Sequence, residues 1–420
     1  YSSILKSDSV KNRGRILKAL SGLSLYRYNI KNKNIKYVLF TDGGELVQNN
    51  NNKYIDKVSQ NIITQLNKNL LTVVNPQYSL SPLLENSENL ISAQHLHLRR
   101  RFCFLNKKLS IENEEELQKI IKKLSSLSSQ KHSINIPFEY KKYILLFFKY
   151  HKVLNVWIDK FRPEAVFVNC GYSLFHQALI YTCNLKNIKT VELQHGLISD
   201  GHTQYSPLKN IGKETFPQYL LTFSDYYLKF INNNFINSQK VFSVGHYYRE
   251  RKIKNPNLNC KNMILKLREK YKKIILVSSQ KIIQKNLIKA ITDMSLRRPT
   301  YCFIFKERGR SGISLNQKNI LVDKKYSIYD FIDLIDVNIS CFSTNILETL
   351  SKKTIGVLID FDNLAFNYYD KIKDDCNNIF ICKNVSEAIM VIDKSPANYS
   401  NPDFYKDNNE LNIKTFLSLL

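Results

Sequence analysis

Short apolar runs of strand length alternate with longer helical patterns along the whole 420-residue chain, and that rhythm predicts an α/β fold. The length is more than one comfortable core fills, so two doubly wound parallel-sheet domains facing a cleft are expected. With 43% hydrophobic and 23% charged residues the chain is neither disordered nor fibrous.

KYVLFTD (36–42) reads as a strand, 52–67 as a helix and LLTVVN (70–75) as a second strand. The polar stretch 111–127 has apolar residues at helical spacing, an excursion from the basic sheet, and 138–160 is a long amphipathic helix holding the only tryptophan, Trp157. Strand 165–170, helix 173–185 and strand 190–194 then follow as a βαβ unit, and strands 218–224 and 241–245 close this half. The second half repeats the pattern. Strands are expected at 273–279, 300–307, 319–323, 337–343, 354–360 and 378–382, with helices at 280–294, 327–335, 344–351 and 410–420. The expected division is an N-terminal domain at 1–240, a C-terminal domain at 241–400, and a final helix at 401–420 packing back on the first domain, with the domains meeting near 235–265.

Lys and Arg number 62 against 36 Asp and Glu, a net charge of +26. Such a balance suits a polyanionic partner, an anionic membrane face or a phosphorylated substrate. Lysine, asparagine and isoleucine are abundant throughout, so compositional drift accounts for the charge equally well. No nucleic-acid-binding signature is present, which excludes nucleic acid as the expected partner. The eight cysteines form no CxxC pair, and several sit in apolar strand-like runs. Reduced, buried thiols in a cytoplasmic protein are expected. No run approaches the roughly 18 apolar residues of a membrane helix. The chain begins at Tyr1 and not at methionine, which leaves room for a segment upstream.

Three stretches carry candidate chemistry. In TVELQHGLISDGHTQY (190–205) a strand stops at Gln194-His195-Gly196, at the carboxyl end where parallel sheets bind ligands. His195 can take a proton at neutral pH. Gly196 permits a sharp exit or a close backbone approach. Gln194, Gly196, His202 and Tyr205 are read as acceptor-contacting or loop-holding residues, with loop or surface roles as the plainer reading for His202. In ISCFSTNILETL (339–350) Ser343 and Thr344 offer hydroxyls at a helix start, a phosphate site, while Asn345 with Glu348 fits a capping box. Glu348 is also placed to accept ribose hydroxyls. In FIFKERGRSG (303–312) Lys306, Arg308 and Arg310 can neutralise a diphosphate leaving group, or form a solvated basic loop. Ser279 and Gln280, in VSSQK (277–281), are further candidates for a phosphate or base contact.

The order ELQHG, VGHYYRE, ILVSSQ, a lysine-bearing strand end and YSIYDFIDLIDVNISCFSTNILETL resembles the GT-B glycosyltransferases of bacterial surface-glycan loci over about residues 160–360. It is distantly similar to CDP-glycerol glycerophosphotransferases and bacterial sialyltransferases. The resemblance implies two Rossmann-like domains, His195 as the base, and Ser343, Thr344 and Glu348 at the donor nucleotide. The Lys-x-His-Pro-like element common in those families is absent here, where Lys306-Glu307-Arg308-Gly309 stands. The expected strand-ending Pro-Arg is replaced by His246-Tyr247-Tyr248-Arg249.

The reading is a GT-B enzyme passing a sugar from a nucleotide donor to a capsule or O-antigen glycan. His195 deprotonates the acceptor and the configuration inverts. No cofactor beyond the donor co-substrate is expected. Neither is a metal, the cations taking its place: no Asp-x-Asp motif is read as holding one, and Asp374-Asp375 reads as a polar turn. The acceptor would be a glycan or lipid-linked glycan, and the protein cytoplasmic or peripheral on the inner membrane. Alternatives are a polyol-phosphate transferase, a non-hydrolysing nucleotide-sugar epimerase, which needs carboxylates poised for proton transfer, and a non-catalytic binding subunit.

Overall fold

The computed structural model describes residues 34–48, 53–75, 84–101, 103, 136–207, 212–307, 315–350, 354–394 and 401–420. The chain packs as two compact units. The first comprises Tyr1–Leu193, Ile211–Leu220 and Phe416–Leu420, and the second Gln194–Asn210 and Leu221–Thr415. The units therefore do not follow the expected boundary at 240/241, since 194–210 and 221–240 belong with the second unit.

A seven-stranded sheet is built from β1 (Tyr37–Asp42), β4 (Leu70–Asn75), β5 (Asn89–Ser92), β6 (Ala165–Val168), β7 (Lys189–Leu193), β8 (Tyr219–Thr222) and β9 (Val241–Ser243). Its order is β5-β4-β1-β6-β7-β8-β9, and the pairs from β5 to β7 are parallel. The first strand lies inside the sheet, with later strands added on both sides. The topological switch point thus falls between β1 and β6, where open parallel sheets place ligands. Helices α3 (Ile136–Phe161) and α4 (Leu174–Asn184) cover this sheet, and Trp157, Leu154, Phe40 and Val166 are buried in its core. The Ser173 hydroxyl caps α4 by accepting the His176 N–H at 3.2 Å.

The second sheet has the same logic. It contains β10 (Lys273–Ser278), β11 (Tyr301–Lys306), β12 (Ile320–Asp323), β13 (Val337–Ser340), β14 (Ile355–Ile359) and β15 (Ile379–Cys382), all parallel, in the order β12-β11-β10-β13-β14-β15. Its switch point lies between β10 and β13. Both sheets are doubly wound and Rossmann-like, and the fold is of the GT-B type. Strands such as IILV and CFIF are apolar on both faces because helices cover both.

Several elements depart from expectation. The helix expected at 52–67 begins only at Gln60 (α1, Gln60–Leu66), because Leu46–Gln48 (β2) and Tyr54–Asp56 (β3) pair as a small antiparallel ribbon. The helix expected at 327–335 is a single 3-10 turn, Ile328–Phe331, opened by a Ser327/Asp330 capping box and followed by Asp333 at φ 60°. The junction region 235–265 contains two helices, the charge-rich α5 (Tyr247–Lys254) and the start of α6 (Leu258–Arg268). The helix expected at 111–127 lies outside the described residues. The remaining helices are α2 (Gln94–Arg101), α7 (Gln284–Arg297), α8 (Asn345–Thr349), α9 (Leu364–Asp374), α10 (Val385–Lys394) and α11 (Asn409–Leu417). Among the described residues no helix is long and apolar enough to cross a membrane. The eight cysteines form no disulfide, and all but Cys103 and Cys170 are buried.

Candidate functional site

At the switch point of the second sheet, the turns after β10 and β13 are stitched together. Ser340 Oγ donates to the Ser278 carbonyl at 2.8 Å, and Ser278 Oγ donates to Asn338 Oδ1 at 3.1 Å. The Gln280 side-chain oxygen accepts the Phe342 N–H at 3.2 Å, and Ser279 Oγ donates to Gln284 at 3.3 Å. Ser279 and Gln280 thus shape the turn that presents Ser343 and Thr344.

That turn differs in detail from the sequence reading. Helix α8 has five residues and its N-cap is Thr344, with no side-chain cap bond, so the Asn345/Glu348 capping box does not form. So short a helix sums little dipole at its start. The hydroxyls are left as the donors. Ser343 Oγ accepts the Asn345 N–H at 3.3 Å and Thr344 Oγ1 accepts the Leu197 N–H at 2.9 Å. Each acceptance leaves the hydroxyl proton available to a phosphate oxygen. Tyr369, fully buried, donates to the Ser343 carbonyl at 2.6 Å and fixes the turn from beneath.

The bond to Thr344 comes from the segment leaving β7. Gln194 is buried and shapes it: its N–H meets the Leu221 carbonyl at 2.8 Å, its side-chain oxygen accepts the Phe223 N–H at 2.7 Å, and its amide donates to the Gly196 carbonyl at 2.9 Å. His195 follows, half-buried, two residues before the bonded Leu197. Gly196 has no left-handed backbone, and a Cβ there would meet Thr344 Oγ1 at an ordinary 3.7 Å, so the expected glycine requirement is absent at this position. It falls instead on Gly201, whose Cβ would lie 2.3 Å from the Asn367 backbone oxygen. His202 lies against buried Tyr205, the two rings 4.9 Å apart and tilted by 40°. Burial, then the charge of His195, pushes the His202 pKa down to about 4, which keeps this second imidazole neutral and close to the first.

Glu348 is buried and its Oε1 accepts the Tyr329 hydroxyl at 2.8 Å. Tyr329 in turn lies 3.3 Å from His246 Nε2, while His246 Nδ1 accepts the Arg249 N–H at 3.2 Å. That acceptance leaves the neutral ring's proton on Nε2, so the chain of bonds runs from His246 through Tyr329 to Glu348. The Arg249 guanidinium donates to the Glu348 carbonyl at 3.1 Å and lies over the Tyr405 ring.

The third predicted stretch divides. Lys306 is a register partner of Asp323, pairs with its carboxylate and bonds the Tyr326 carbonyl, so its ammonium is committed to the fold. Arg308 and Arg310 lie outside the described residues. Asp360-Phe361-Asp362 has Asp-x-Asp spacing, which the sequence reading passed over. Asp360 caps the start of α9 by accepting the Ala365 N–H at 2.8 Å, and Asp362 has φ 55°. Among the described residues no group of three His, Cys, Asp or Glu side chains is placed to hold a metal ion.

The first unit holds carboxylates that sequence reasoning missed. At its switch point Asp56 is fully buried and bonded to Thr41, the last residue but one of β1. Asn169, just after β6, donates to Thr41 at 3.1 Å and to Asp56 at 3.3 Å. Burial raises the Asp56 pKa despite these bonds. Glu192, the last residue but one of β7, is 1% exposed, and its Oε2 lies 2.3 Å from where a Cβ would stand on Gly171. Glycine at 171 is what leaves room for that carboxylate. The signal was a lone acid inside the apolar run TVEL.

No family model matches the chain, and no curated protein matches it. Solved structures of similar fold are known. A UDP-GlcNAc 2-epimerase from Neisseria meningitidis bound to UDP-GlcNAc is 13% identical, with a TM-score of 0.54, covering 91% of this chain and 99% of that one. The Methanocaldococcus jannaschii UDP-GlcNAc 2-epimerase in complex with UDP-GlcNAc and UDP is 12% identical with a TM-score of 0.57, covering 92% and 100%. The S. aureus MnaA–UDP co-structure is 12% identical with a TM-score of 0.54, covering 92% and 98%.

Proposed function

We propose that this chain is an enzyme acting on a nucleotide sugar, with the nucleotide diphosphate at the switch point of the second sheet and His195 moving a proton beside it. The observation that carries the proposal is the 2.9 Å bond from the Leu197 N–H to Thr344 Oγ1. It ties the segment bearing the imidazole to the turn bearing the hydroxyls, within one unit. Ser343 and Thr344 donate to phosphate oxygens as the bond between anomeric carbon and diphosphate breaks. The Glu348 carboxylate accepts ribose hydroxyls. Arg308 and Arg310 remain candidates for the phosphate charge.

Two fates of the sugar have separate support. Epimerisation takes a proton from a sugar carbon and returns it on the other face, and needs positioned acids and bases. The UDP-GlcNAc 2-epimerases among the structures of similar fold support that reading, which is the reaction to assay first. Transfer to a glycan hydroxyl needs one base, and the placement of His195 beside the donor turn supports it. In that reading the acceptor is a surface or lipid-linked glycan, and the net charge of +26 suits an anionic membrane face.

Incubation of UDP-GlcNAc with the full chain in deuterium oxide, without acceptor, separates the two. Epimerisation gives a deuterium-labelled product epimer. Transfer leaves the donor intact until a glycan acceptor is added. Failure of a panel of nucleotide sugars to react under either condition removes the proposal.

A further inference from the structure

A cavity of about 240 Å³ lies against α9, lined by Ser199, Asp200, Phe230, Phe366, Asn367 and Tyr368, with Asp370 and Lys371 at its edge. It is smaller than the roughly 300–1,000 Å³ of sites for drug-sized ligands, so it fits one ring. Its wall is aromatic: Phe366 is 46% exposed, and Tyr368 is held flat by stacking on Phe342 at 5.4 Å and 25°. The remaining lining is a hydroxyl, an amide and carboxylates. Two carboxylates stand against one ammonium, Lys371 being paired with Asp200 at 2.5 Å, which disfavours phosphate in an otherwise basic protein. Ser199 supplies the second observation. It is 1% exposed, and its Oγ has no hydrogen-bond partner among the described residues. A hydroxyl buried without a partner is costly unless something meets it. The site is rigid because Gly201 packs directly on the α9 backbone at Asn367.

We infer that this cavity is a binding subsite for an uncharged pyranose. An aromatic face takes the sugar's C–H edge, and Ser199, Asp200 and Asn367 take its hydroxyls. Ser199 and Asp200 follow His195 by four and five residues on the same segment, so the subsite is the place for a sugar distinct from the nucleotide's. That distinction rests on the proposed function, whereas saccharide binding in the cavity does not.

Saturation-transfer NMR on the full chain tests it with N-acetylglucosamine, glucose and mannose as probes, each titrated through the millimolar range. The expected result is saturable binding of at least one sugar, weakened about tenfold by Phe366→Ala and by Ser199→Ala. Ser199→Ala also removes an unpartnered hydroxyl, so it leaves Tm unchanged or raised. Saturating UDP should leave the saccharide signal in place. No saturable binding of any of the three sugars, equal binding by both variants, or displacement by UDP would overturn the inference.

Discussion

Replacing Thr344 by valine tests the tether between the histidine segment and the hydroxyl turn. Valine keeps the branched shape and removes only the oxygen that accepts the Leu197 N–H at 2.9 Å. Leu197 is 7% exposed, so water does not readily replace the lost partner. Leaving a buried donor unmet costs about 1–3 kcal/mol. If that cost falls on the closed segment alone, local opening rises about 5- to 150-fold. Hydrogen–deuterium exchange read on peptides covering 195–199 reports it directly, with β14 as the unperturbed control. Nucleotide-sugar turnover should fall in the same variant. Unchanged exchange at 195–199 would mean that the bond holds nothing, and the reasoning that joins His195 to the turn would fail.

His195→Gln should abolish turnover of the nucleotide sugar while leaving Tm within about 1 °C, since only a half-buried side chain is changed and the buried Leu197 and Ile198 that follow it are kept. Gly171→Ala should push Glu192 aside and destabilise by about 1–3 kcal/mol, and adding Glu192→Ala should recover part of the Tm. His202 and His97 both have pKa values lowered to about 4, chiefly by burial. Between pH 6.5 and 4 the unfolded chain takes up protons that these folded rings refuse, so stability falls as pH drops through that window. A Tm that stays flat from about pH 6.5 to about 4 contradicts this, and His202→Asn should flatten part of the slope.

The strands were legible because parallel strands covered on both faces read as short apolar runs: those expected from 36–42 to 378–382 recur within a few residues. Helix α5 was not, since YYRERKIK is charged all round and shows no apolar stripe. At the site, the sequence marked the His195 segment and the Ser343 turn, but not the bond between them. That bond joins positions 147 residues apart. Lys306 looked like a phosphate-binding cation because its pairing with Asp323 is a matter of strand register, which spacing does not reveal. Glu192 was passed over as a single acid in an apolar run, and Asp56 because it sits among polar residues in KYIDKVSQ, where only the fold places it at the switch point beside Thr41 and Asn169.

Titration calorimetry of UDP-GlcNAc into the full chain, beside a Ser343→Ala/Thr344→Val variant, tests the nucleotide-sugar account most directly. It predicts saturable one-to-one binding that weakens at least about tenfold when both hydroxyls are removed. Absence of binding to the unaltered chain, or equal affinity in the variant, would contradict it.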